Sequence, residues 1–234
     1  MLIVVTSLVL LAGCQQQAAP DLDIPAILSD QLAEVRAGRR ELIELTGETV
    51  HDKTIEPMRH VQGVTRVVIE QSELSAAGLA VLATIPELEQ LVIRGKAVDD
   101  EGLSQIVSSR NLRVLNLPRT TVSRTALEKL QQLPQLMLLR IGSPHLEDDC
   151  LQVITGMPGI RFLHLIDIPI TDQGLRHLHD FEQLESLYLD GARVSGEGVS
   201  ELMEKLPRLH LHLDQHHHDR DPNHHEHADG AGRG

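Results

Sequence analysis

The chain has 234 residues, 41% of them hydrophobic, a formal net charge of -13, two Phe, one Tyr and no Trp. That length suits one domain of about 150 to 200 residues with tails, and so few aromatics demand a core of aliphatic side chains, which pack best as many small, equivalent layers. The acidic balance, with no basic run to offset it, excludes nucleic acid as a partner, because phosphate binding rests on clustered Lys and Arg.

At the N-terminus, MLIVVTSLVLLAGC carries a largely apolar run from Leu2 to Ala12, followed by Gly13 and Cys14. The run is too short for a bilayer, which takes roughly 20 helical residues, but suits a secretory core segment of about 7 to 15. Leu11-Ala12-Gly13-Cys14 resembles the bacterial lipobox. The resemblance implies a signal peptide over 1–13, lipid attachment at Cys14, and export to the cell membrane or outer membrane, facing periplasm or exterior. An ordinary signal peptide or a buried N-terminal segment are the alternatives. Residues 14–24, beginning CQQQAAP, have the polar, unpatterned composition of a tether. Next, residues 25–39 read as a capping helix, with Pro25 at its start and Leu28, Leu32 and Val35 on one face.

From Arg40 the chain repeats every 24 residues, with further starts at Val64, Leu88, Leu112, Leu136, Ile160 and Leu184. The fourth position is Ile43, Val67, Leu91, Leu115, Leu139, Leu163 and Leu187; the sixth runs from Leu45 to Leu189 and is equally apolar, as are the eleventh, sixteenth and nineteenth. Positions 4 and 6 share one face of a short strand. Position 12, as at Ser75, Ser123, Thr171 and Ser195, offers a side-chain oxygen to cap a following helix. Acids then crowd the first helical turn, and position 15 is small throughout, from Thr54 through Gly78, Gly102, Ala126, Cys150 and Gly174 to Gly198. Pro86, Pro134, Pro158 and Pro207 stop their helices.

This L-x-x-L-x-L pattern at a period between 20 and 29 is that of a leucine-rich repeat. The unit Ile170-Thr171-Asp172-Gln173-Gly174-Leu175 resembles bacterial repeats of the T-D-x-G-L kind, similar to those of ribonuclease inhibitor. The resemblance implies an α/β solenoid over 40–213, with a parallel sheet on the concave face and helices on the convex face. The ninth position lacks the family's Asn or Cys, so irregular loops are expected after the strands. A terminal strand, Leu209-His210-Leu211-His212-Leu213, should close the repeats with leucines inward and both histidines outward. Residues 214–234 read as a disordered, His-rich tail.

Cys150 fills the small-residue column and reads as packing. No nucleophile motif, phosphate-binding glycine loop or H-E-x-x-H run is present in the sequence, so an enzyme is not expected. Positions 3 and 5 of each strand instead face outward in two rows. Leu138, Arg140, Phe162, His164 and Tyr188 fall there on neighbouring strands, a composition suited to a protein partner. The chain is expected to act as a monomer. The alternative is a metal-binding or metal-sequestering lipoprotein, in which His210, His212, His216, His217 and His218 hold zinc, copper or nickel; otherwise no cofactor is expected.

Overall fold

The computed structural model describes residues 25–214 and the backbone of residues 216–217. The signal peptide, Cys14, the tether, His218 and the rest of the tail lie outside the described residues. Strands β1 (Leu42–Leu45), β2 (Arg66–Ser72), β3 (Gln90–Gly95), β4 (Val114–Leu117), β5 (Leu138–Ile141), β6 (Phe162–Ile166), β7 (Ser186–Asp190) and β8 (His210–Leu213) form one sheet in chain order. All eight are parallel, and their register follows the sequence period, as in Leu115 beside Leu139 and Leu139 beside Leu163. Position 4 is thereby stacked into one column from Ile43 to Leu211, buried at every strand.

Helices return the chain from each strand to the next, as parallel pairing requires. They are α1 (Ala26–Arg36), α2 (Asp52–Ile55), α3 (Ala76–Ala83), α4 (Asp100–Ile106), α5 (Arg124–Glu128), α6 (Asp149–Thr155), α7 (Asp172–Leu175) and α8 (Gly196–Lys205), with α2, α5 and α7 running on into 3-10 turns. Side-chain oxygens of Ser75, Asp99, Ser123, Thr171 and Ser195 accept backbone N–H groups in the first turns of their helices. Glu147 departs from this expectation: α6 begins after Asp148 with no side-chain cap.

Asp148 is used elsewhere, and so are the acids at the same place in other repeats. Its Oδ1 accepts Thr171 N–H at 2.7 Å and its Oδ2 accepts the Thr171 hydroxyl at 2.6 Å, one repeat onward. Asp52 holds Ser75, Asp100 holds Ser123 and Asp172 holds Ser195 in the same two-point way. The small column has its cause here. A Cβ on Gly174 would stand 2.3 Å from Asp148 Oδ1, and one on Gly198 would stand 2.1 Å from Asp172 Oδ1. Cys150 follows a repeat with Arg124 in place of the acid and is fully buried. Burial first, then the charges of Asp149 and Asp148, push its thiol pKa up to about 12, so it packs as an inert apolar group.

The loops after the strands are irregular, as the missing Asn or Cys implies. At position 9 Thr120 donates its hydroxyl to Gly142 C=O at 2.8 Å, and Ser143 donates to Val122 C=O at 2.8 Å. Both are buried, so these bonds satisfy groups that water cannot reach. β2 carries a register shift between Ile69 and Ser72; Gly95, at φ +115°, lies against it where a Cβ would be 2.4 Å from Ser72 N.

Both ends of the sheet are covered. α1 buries Leu28, Leu32 and Val35, and its Gln31 acts as a substitute strand: the side-chain amide donates to Glu44 C=O and accepts Glu44 N–H, each at 2.7 Å. At the other end the chain turns through Asp214, at φ +48°, whose carboxylate accepts Gly191 N–H at 2.8 Å. It then runs back as the short antiparallel β9 (His216–His217), a strand absent from the sequence reading, which pairs His212 with His217.

Candidate functional site: the outward face of the sheet

Parallel register converts sequence columns into rows across the sheet. Position 3 aligns Val114, Leu138, Phe162, Ser186 and His210, and position 5 aligns Asn116, Arg140, His164, Tyr188 and His212. The structure thus brings all five expected partner-binding residues onto three adjacent strands. Leu138, Arg140, Phe162, His164 and Tyr188 are each half-buried, because neighbours in the rows cover part of every side chain.

Position 5 is bonded from strand to strand. Arg140 Nη1 donates to Asn116 Oδ1 at 3.4 Å and Arg140 Nε donates to His164 Nδ1 at 3.1 Å. Guanidinium is a donor only, so His164 Nδ1 carries the lone pair, and its Nε2–H is assigned as donor to Asp190 Oδ2 at 2.7 Å. Burial, then the like charge of Arg94, lower the Arg140 pKa from its ordinary value, and Asp190 opposes them. A guanidinium remains charged all the same. Beyond His164, the row becomes a stack of rings. Tyr188 lies 5.3 Å from His164 and stacks on His212 at 4.1 Å and 7°.

Asp190 had no place in the two rows read from sequence. It occupies position 7, two residues after Tyr188, where period-2 alternation returns a side chain to the same face. Strand alternation could have signalled it, but β4 and β5 end before this position, at Pro118 and Gly142, so position 7 forms no continuous column. Farther along the same position, Arg94 pairs with Glu70.

The terminal histidines differ from the expectation of two solvent-facing side chains. They lie on the outward face, but His212 is buried, 6% exposed; Tyr188 stacks on it and His210 meets it edge-on at 4.3 Å between ring centres. Their Nε2 atoms are in contact. The backbones of His216 and His217 form β9, and His218 lies outside the described residues. Among the described residues, no group of three or more His, Cys, Asp or Glu is placed to hold a metal ion. Nor, among them, is any helix long and apolar enough to cross a membrane.

Comparison with solved structures settles the fold. Internalin C2 of Listeria monocytogenes superposes with a TM-score of 0.53 at 18% identity, covering 80% of this chain and 81% of that one. The fold is a leucine-rich repeat solenoid. A second internalin from the same organism, inlF, gives a TM-score of 0.49 at 15% identity over 78% of this chain and 58% of its own. No protein-family model and no curated protein matches the sequence. At such identities the likeness concerns architecture, and function has to be argued from this chain's own surface.

Proposed function

We propose that the chain is a lipid-anchored, exported leucine-rich repeat scaffold that binds a protein partner through the concave face of its sheet. The observation that carries this reading is the alignment of Leu138, Phe162 and Tyr188 beside Arg140 and His164 on consecutive strands, with Arg140 and His164 held in place by Asn116 and Asp190. Apolar, aromatic and guanidinium groups in one patch are the composition of an interface hot spot. Arg140 and His164 are held by these hydrogen bonds before a partner arrives, which reduces the ordering cost of association at those two side chains. Lipid attachment at Cys14 is supported by the sequence Leu11-Ala12-Gly13-Cys14 alone. None of the roles proposed for these residues is catalytic.

The reading is tested by capturing partners with the chain carrying or lacking residues 215–234. A partner retained at equal yield after truncation is expected, since the patch lies upstream of the cut. Loss of every partner on truncation would assign function to the tail instead.

A further inference from the structure

We propose that His164 is a proton-operated latch on Arg140, so that the concave face loses affinity for its partner as the pH falls from neutral to mildly acidic. The effect on binding rests on the concave-face reading above; the latch itself does not. A guanidinium has donors only, so the 3.1 Å bond from Arg140 Nε exists only while His164 Nδ1 keeps its lone pair. Protonation places an N–H on that nitrogen. Two donors and two positive charges then face each other, and Arg140 has to turn away. Its other bond, from Nη1 to Asn116 Oδ1, is 3.4 Å long, beyond the usual range, and offers little to hold it.

Asp190 gives the protonated ring a state of its own. Asp190 Oδ2 lies 2.7 Å from His164 Nε2, and Oδ1 is buried with no hydrogen-bond partner among the described residues. With a neutral imidazole that carboxylate has no cation in contact; a proton on the ring turns the same bond into an ion pair, which offsets the bond lost to Arg140. The His164 and Asp190 side chains are 20% and 17% exposed, open enough for a proton to arrive from water and covered enough that their charges are only partly screened. The other groups around the ring are Tyr188 on β7, 5.3 Å away with His212 beyond it, and, on the far side of Arg140, Arg94 on β3, paired with Glu70. A charged His164 therefore leaves Arg140 between two cations. Imidazole is the side chain whose charge changes between about pH 5 and 8, and Arg140 is the charged member of the partner-binding patch, so the patch is altered where an arginine contributes most to an interface.

Nuclear magnetic resonance of the full chain tests the latch without a partner. The Arg140 Nε–H signal, identified by its loss in Arg140→Lys, should be protected from solvent exchange at about pH 7.5, and should shift and broaden toward about pH 5 along the same curve as the His164 ring protons. In His164→Gln, whose amide oxygen can accept the same bond but takes up no proton, the signal should not move with pH. Calorimetry with the captured partner should give an affinity at least about tenfold weaker at the lower pH for the wild type, and no such dependence for His164→Gln. His164 is on the outward face, and circular dichroism at both pH values checks that each protein stays folded. An Arg140 signal that stays in place while His164 titrates would overturn the latch, whatever surface binds the partner. A signal that follows the titration while affinity is constant would overturn its control of binding; the concave-face reading itself stands or falls separately, on Phe162→Ala.

Discussion

A carboxylate at the start of a helix usually serves that helix, where the dipole favours it. Here Asp52, Asp100, Asp148 and Asp172 also reach across to the next repeat. The side-chain and backbone hydrogen bonds from Ser195 lower the Asp172 pKa below its ordinary value. Because the folded state holds the charged form more strongly than the unfolded chain does, Asp172 adds stability above the unfolded pKa, near 3.9. That contribution is lost as pH falls through the lower, folded value. Asp172→Asn should therefore melt at a lower temperature than the wild type at pH 7, and the gap should close below about pH 4. Thermal melts across that range check it; a gap independent of pH would mean that the carboxylate charge is not what binds the repeats.

At the scale of elements, the question is how an open sheet of parallel strands ends. Position 4 and position 6 bury the interior at each repeat, but the last strand on either side has backbone groups with no neighbour. α1 answers this at β1 with its apolar face and with one side chain, since Gln31 makes both hydrogen bonds that a strand would make to Glu44. Replacing Gln31 with Leu leaves a donor and an acceptor unpaired at a site where the glutamine is only 7% exposed. The expected cost is about 1 to 3 kcal/mol, read from denaturant midpoints, with greater self-association through the uncovered edge. A change confined to a few tenths of a kcal/mol would show that the apolar face of α1 alone caps the sheet. Gln31 was not legible as a cap because it occurs once; only Leu28, Leu32 and Val35, which share a helical face, could be read.

Across the whole molecule, what the sequence made legible is what the repeat does many times. The 24-residue period gives the strand order and register, down to Leu139 between Leu115 and Leu163. The helix starts and the small column were also visible, although the reason for Gly174 and Gly198 was not, because a column shows size and not the Asp148 and Asp172 oxygens one repeat earlier. The partner-facing rows were legible by alternation, whereas their bonding was not. Asp190 lies past the ends of the shorter strands, and the stack on His212 is made by a ring from the neighbouring strand. Singular contacts leave no period to read.

The same regularity gives the whole-molecule claim its sharpest consequence. A solenoid presents two unlike surfaces, and if the concave one binds the partner, energy should concentrate at Leu138, Phe162 and Tyr188 and be absent from the helices. Phe162 projects from the outward side of β6, opposite the core, so its truncation should leave the fold intact. The decisive measurement is the affinity of the captured partner for the wild type, Phe162→Ala and the helix-side control His177→Ala. Losing a buried interface aromatic costs about 2 kcal/mol or more, so Phe162→Ala should weaken binding roughly thirtyfold while His177→Ala leaves it unchanged. Equal weakening by the two variants, or none by Phe162→Ala, would contradict the assignment of the concave face.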